Sequence, residues 1–248
     1  MMMHHDPIVR ISDCSSVHST KQPQQVSTSN NNHQQTIQMT PSLKSFLNDL
    51  ETCFRNGQGK VNPEEVKSIF RKYSNEMDIN DFEPYCYADT TATYTRNLVM
   101  NNPYFSLIVL VWNPQQHSCI HAHGGSQCWF RVLRGQVKEC RWLVNPKQDT
   151  SLSPVNPTKE FIANMGTIGY IDDSNGVHCI VNMADEISVS LHCYAPPYQE
   201  CACYSDETGE IFNGKVMFDS IGGQILSAHD TMYNFLRKEK EETSQNQH

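Results

Sequence analysis

The chain has 248 residues, with 19 Lys or Arg against 27 Asp or Glu, so it carries a formal net charge of -8. An acidic chain without a basic tract is poorly matched to a phosphate backbone, and no nucleic-acid partner is expected. The longest strongly apolar run, Leu107 to Trp112, falls far short of the roughly 20 residues a membrane-spanning helix needs, and no apolar stretch follows the first residues to form a secretory signal. These features point to a soluble, cytoplasmic protein with no membrane partner. The 10 cysteines show no CxxC spacing, so reduced thiols are expected and finger-type structural zinc is not.

Residues 1–40 are rich in Ser, Gln, Asn, Thr and His, as in Asn30-Asn31-Asn32-His33-Gln34-Gln35. Such a segment buries too little surface to offset its ordering entropy, and it reads as a disordered polar tail. Order begins at Thr40-Pro41, an N-cap followed by proline at the first helical position. Leu43, Phe46, Leu47, Leu50 and Phe54 then recur at helical spacing up to Gly57. Asn62-Pro63 opens a second helix with Val66, Ile69 and Phe70 on one face. Strands follow from about Tyr94: Phe105 to Trp112, Trp129 to Leu133, Gln136 to Trp142, Thr167 to Asp172, Val177 to Asn182 and Ile187 to Tyr194. Arg134-Gly135 reads as a hairpin turn, and Asp173 to Gly176 as another turn. Many short strands at close spacing predict a barrel or sandwich. The single domain is expected over 41–230, with 231–248 a polar C-terminal tail.

Three segments carry chemistry. In a strand, alternate residues share a face, so His121 and His123 point the same way, as a chelating pair must. His178, on a later strand, could add a third imidazole; three neutral imidazoles suit Zn, Fe, Cu or Ni. They leave the metal's charge uncompensated, which favours an anionic outside ligand such as a thiolate. In Ser188-Val189-Ser190-Leu191-His192-Cys193-Tyr194, alternation puts Ser190, His192 and Tyr194 on one face. A polar row inside a barrel must bond internally or to a ligand, and solvent is the alternative neighbour.

The spacing HxHx4C followed by Gly135 resembles the first cupin motif, with Cys128 where most cupins have a glutamate. Gly176-x-His178-x3-Asn182 resembles the end of the second. Tyr94-Thr95-Arg96-Asn97-Leu98-Val99 and the segment from Ser188 to Pro197 extend the likeness to the eukaryotic cysteine dioxygenase family over roughly residues 42–220. The resemblance implies a mainly β protein, a cupin-type small β-barrel (jelly roll) preceded by two or three N-terminal helices. It implies Fe(II) on His121, His123 and His178, with L-cysteine and dioxygen as substrates. It further implies that Arg96 clamps the substrate carboxylate with help from Tyr94, and that Tyr194 stands beside the substrate, linked through His192 to Ser190. A thioether between Cys128 and Tyr194 forms a protein-derived cofactor in the family, and both partners are present. The product would be cysteine sulfinic acid, in cysteine catabolism toward hypotaurine, taurine and sulfate, with a monomer as the expected state.

Other readings remain beside this one. A dioxygenase for 3-mercaptopropionate keeps the carboxylate that Arg96 would bind, whereas cysteamine lacks it. A non-catalytic metal-binding cupin and a three-histidine zinc hydrolase are further alternatives. Cys201 matches a cysteine near the family's active-site entrance and reads most simply as an exposed or half-buried thiol, and Trp112 as packing. Ala122 stands where the family often has aspartate, and Gly124, Gly125 and Gln127 replace more polar residues. At Gln127 a histidine is usual, so altered hydrogen bonding in the pocket is expected there.

Overall fold

Two capped helices precede the strands. The Thr40 hydroxyl accepts a hydrogen bond from the Leu43 amide and Pro41 opens α1 (Pro41–Asn56). The Asn62 side chain accepts from the Glu64 amide at 3.0 Å and Pro63 opens α2 (Pro63–Lys72). Proline costs nothing at these positions, because a first-turn amide has no partner within the helix. The computed structural model describes residues 10–11, 37–57, 61–145 and 151–227. Most of the expected N-terminal tail, and all of the C-terminal one, lie outside the described residues. Within the former, Ile11 is buried beside Cys119, Cys201, Cys203 and Val216, which departs from a wholly solvated tail. A third long helix does not follow α2. Short 3-10 turns at Ile79–Asp81 and Glu83–Tyr85 stand there, the first tightened by a reciprocal cap between Asp78 and Asp81.

Thirteen strands follow among the described residues: β1 (Tyr94–Asn101), β2 (Ser106–Trp112), β3 (Ile120–His121), β4 (Gln127–Arg134), β5 (Gln136–Trp142), β6 (Lys159–Asn164), β7 (Ile168–Ile171), β8 (Val177–Val181), β9 (Ser188–Ala195), β10 (Glu200–Tyr204), β11 (Ile211–Lys215), β12 (Ser220–Ile221) and β13 (Gln224–Ile225). They form a seven-stranded sheet, β13-β12-β1-β2-β9-β4-β7, and a six-stranded sheet, β11-β10-β3-β8-β5-β6. Among the described strands the chain switches sheet eight times: at each step from β2 to β5, at each step from β6 to β10, and between β11 and β12. Arg134-Gly135 is therefore not a hairpin turn: β4 pairs with β7 and β9, while β5 pairs with β6 and β8. The tight corner explains the glycine. Gly135 has φ +72°, and a Cβ there would meet the Ser188 hydroxyl at 2.5 Å.

Apolar residues of both sheets meet between them. Leu98, Leu110, Phe130 and Val132 from the larger sheet share one cluster with Val137, Ala163 and Ile180 from the smaller. The opposite face of the larger sheet joins the helices: Leu107, Val109, Trp129, Leu191 and Cys193 cluster with Leu43, Phe46, Leu50, Phe54, Val66 and Phe70. Full burial of each such side chain stabilises by about 1.5–3 kcal/mol. The larger sheet is thus mostly apolar on its helix side. Its inner side faces the smaller sheet and carries the polar groups described next.

Candidate active site

His121 ends β3 and stands in register with His178 on β8. β3 stops at His121, so strand alternation is not what aims His123. The Asp173 carboxylate does that, accepting the His123 amide at 2.7 Å and the Gly125 amide at 2.8 Å. The three imidazoles converge all the same: their ligating nitrogens lie within 4.8 Å of one another and all three residues are buried. Burial first, then the neighbouring His178, lowers His121 to about 3, and His123 falls well below its ordinary value for the same reasons. Both are thus neutral, the form that binds a metal.

The tautomers also fit a metal. His121 Nδ1 lies 2.9 Å from the Cys119 carbonyl, which leaves Nε2 as the ligating atom. His178 Nδ1 lies 2.8 Å from the Glu139 carboxylate, which turns its Nε2 inward, 3.1 Å from His123 Nε2. A proton or a cation shared between the two ring nitrogens suits that separation. Glu139 is fully buried and also accepts from Arg141, at 2.8 Å from Nε. Burial pushes its carboxyl upward, but the bonds from His178 and Arg141 outweigh this and hold it below the usual carboxylate value. A buried negative charge thus sits one residue behind the three histidines. Sequence reasoning missed Glu139, although its position two residues after the inward Val137 was a legible signal.

Ser190, His192 and Tyr194 are all buried, so the polar row faces the interior and not solvent. Ser190 Oγ lies 2.8 Å from His192 Nε2, and His192 Nδ1 lies 3.4 Å from the Tyr194 hydroxyl. The Trp112 indole N–H donates to Ser190 Oγ at 2.8 Å. Indole only donates, so Ser190 spends its own proton on His192 Nε2 and the His192 proton sits on Nδ1, toward Tyr194. Trp112 is therefore a member of this chain and not packing alone. Burial first, then His178 and Arg96, keeps His192 neutral. Cys128 on β4 faces Tyr194 on β9 in register, its thiol 4.0 Å from His192 Nδ1. Burial raises both the Cys128 and the Tyr194 pKa values, so both groups are protonated.

Arg96 on β1 is buried, with its guanidinium carbon 6.0 Å from the centre of the Tyr194 ring. Tyr94 lies within hydrogen-bonding reach of it, yet Nε and Nη2 have no partner. The Asp219 carboxylate accepts the Arg96 backbone amide, not the guanidinium. A buried guanidinium with two unmet donors calls for an anion.

Other sequence expectations resolve outside the pocket. Gln127 points toward the helices, donating to the Val61 carbonyl at 3.1 Å and the Tyr170 hydroxyl at 3.0 Å. Its departure from histidine thus concerns helix docking, because it lies on the opposite face of β4 from Cys128. Ala122 is buried in a separate cluster with Ile120, Cys140 and Trp142, away from the metal ligands. Cys201 is neither exposed nor half-buried: it is buried, 3.9 Å from Cys203, because its side of β10 is covered by Ile11 and Val216.

A profile of the family Cysteine dioxygenase type I matches residues 33–207. The chain belongs to the cysteine dioxygenase type I family. Cysteine dioxygenase type 1 of Danio rerio is 33% identical over 195 residues, 77% of this chain and 93% of that protein. The Homo sapiens protein of the same name is 32% identical over 170 residues, 68% of this chain and 81% of that one. Among solved structures, a double-stranded β-helix protein from Klebsiella pneumoniae covers 48% of this chain and 88% of its own, with 16% identity and a TM-score of 0.37. As a member of this family the chain is a dioxygenase, with three histidines gathered where they could hold a metal ion.

Proposed function

We propose that the protein oxidises L-cysteine with dioxygen to cysteine sulfinic acid at Fe(II) held by His121, His123 and His178, the oxidative step that opens cysteine breakdown toward hypotaurine, taurine and sulfate. The observation that carries this reading is Arg96, a buried cation with two unmet donors beside three converging imidazoles. Bound there, Fe(II) would supply a centre that a thiolate and dioxygen can share. The reaction balances without an outside reductant, since both oxygen atoms end on sulfur. Arg96 offers the planar fork that matches a carboxylate, and Tyr94 steadies that fork. Clamping the carboxylate fixes where the sulfur lies, and such orientation removes an entropic barrier. The Trp112–Ser190–His192 chain presents an N–H to Tyr194, so the phenol keeps its place beside the substrate.

A thioether joining Cys128 to Tyr194 is part of the same proposal. Their register across β4 and β9 supports it, since opposed residues have Cβ atoms about 4.5–5.5 Å apart. Forming the bond releases two protons and two electrons, and dioxygen is the available oxidant. Its signature is an intact mass lower by two hydrogens after turnover.

The test is dioxygen uptake by the iron-loaded protein with L-cysteine, 3-mercaptopropionate and cysteamine, the products being weighed. Uptake with L-cysteine and a product heavier by two oxygen atoms is expected. Arg96→Ala should lower kcat/KM for L-cysteine roughly thirtyfold or more, as loss of one partner in a buried charged bond costs about 2–5 kcal/mol, while leaving cysteamine little changed. No uptake with any thiol would return the protein to a binding role, and uptake with 3-mercaptopropionate alone would move the substrate.

A further inference from the structure

We propose that the Tyr198 hydroxyl is a substrate-binding group that donates a hydrogen bond to the carboxylate of the bound thiol, beside Arg96; this rests on the carboxylated-thiol reading above. Tyr198 lies in the loop between β9 and β10. Its ring meets Tyr194 edge-on, with centroids 5.2 Å apart and planes at 67°. Arg96 approaches the same Tyr194 ring, 6.0 Å from its centroid. The Tyr198 ring is half-buried, yet its hydroxyl is fully sequestered and has no partner. Arg96 Nε and Nη2 are in the same condition. Three donors without an acceptor therefore gather around one phenol. A carboxylate offers two oxygens with about four lone-pair sites, enough to receive all three. Burial foremost, then Tyr194 and Cys201, raises the Tyr198 pKa well above its ordinary value, so the phenol stays a donor near neutral pH.

The loop is built to seat this ring. A Cβ at Gly124 would meet the Glu200 carbonyl at 2.6 Å and Tyr198 carbons at 3.1 and 3.3 Å. Gly124 also has φ +59°, a conformation that other residues rarely adopt. Glycine here, one of the departures from the family's more polar residues, lets the Tyr198 ring lie against the loop that follows His123. The ring is thereby tied to the metal-ligand loop, and Tyr198 and Arg96 lie near enough for each to act on the other's charge.

Anaerobic titration of the Fe(II)-loaded protein with L-cysteine and with cysteamine tests this in wild type and Tyr198→Phe. The variant keeps the ring and removes one oxygen. L-cysteine should bind about tenfold more weakly, as a hydrogen bond to a charged group predicts, and cysteamine within a factor of two of wild type. In turnover the loss should appear in KM and not in kcat. The melting temperature of the ligand-free variant should hold or rise, since an unmet hydroxyl has been removed. An equal loss for both thiols, no loss for either, or a lowered melting temperature would each overturn the assignment of Tyr198. Wild-type protein that binds cysteamine as tightly as L-cysteine would instead overturn the carboxylate reading itself, and Tyr198 with it.

Discussion

Strand β9 presents two faces to two different neighbourhoods. Val189, Leu191, Cys193 and Ala195 join the apolar cluster that holds α1 and α2. Ser190, His192 and Tyr194 point between the sheets. Each side buries an arginine from the larger sheet, and the two are treated differently. Arg131, on the helix side, donates to the Ser74 carbonyl at 2.9 Å and the Met77 carbonyl at 3.3 Å, where the chain leaves α2, and leaves Nε alone unmet. Arg96, on the inner side, has Nε and Nη2 buried and unmet. One face is largely completed by the protein's own backbone and side chains. The other is left to be completed by a metal and an anion. That division lets stability and chemistry be altered separately, although one strand carries both.

The largest expected effect lies on the helix side. Leu191 is fully buried there. Leu191→Ala should destabilise the fold by about 2–5 kcal/mol, from lost burial and the cavity left behind. Thermal or denaturant melting measures this. Metal content and KM of the variant, taken well below its melting temperature, should match wild type. Loss of metal in the still-folded variant would break the comparison, showing that the two faces of β9 are not independent.

Much of this division was legible in the sequence. Alternation from Ser188 to Tyr194 separates the two faces without any structure, and Thr40-Pro41 and Asn62-Pro63 mark where the helices begin. The three histidines were legible as a set, because the residue types restrict the chemistry and the motif spacing restricts their placement. What stayed hidden depends on contacts between distant segments. Arg134-Gly135 looks like a hairpin from its neighbours alone, and only the pairing of β4 and β5 with other strands shows a corner between sheets. Asp173 reads as a turn residue, yet its carboxylate orders the backbone of His123, fifty positions earlier. Gln127 was assigned to the pocket, but the alternation that puts Cys128 inside sends Gln127 outside. Tyr198 gave no signal, since an unmet hydroxyl is a property of surroundings.

A smaller effect is expected behind the metal ligands. Glu139→Gln keeps the size of the side chain and removes the charge facing His178. Removing such a partner of a ligating histidine typically costs 10–100-fold in metal affinity, about 1.4–2.8 kcal/mol. Chelator competition measures this directly. Global stability should change far less than in Leu191→Ala, because no apolar volume is lost. Unchanged iron affinity would mean that His178 is oriented by the sheet alone, and the inner face would then depend less on its polar partners than the geometry implies.

The smallest effect sharpens the comparison most, because Trp112 serves both purposes. Its ring stacks on Tyr94, with centroids 4.5 Å apart, and its N–H donates to Ser190. Trp112→Phe keeps an aromatic ring for the stack and removes the donor. One neutral hydrogen bond contributes about 0.5–1.5 kcal/mol, so the loss in stability should be near 1 kcal/mol. The informative signal is the tautomer of His192, read from imidazole nitrogen chemical shifts. With the indole present, the Ser190 proton is directed to Nε2 and the His192 proton remains on Nδ1. Without it, the Ser190 oxygen loses one donor and accepts more readily from an Nε2–H, so both tautomers should appear. A His192 that keeps a single tautomer in Trp112→Phe would place the control with Tyr194 and Cys128. A mixed population would show that Trp112, at the end of β2, orders the phenol beside the substrate through two intervening side chains.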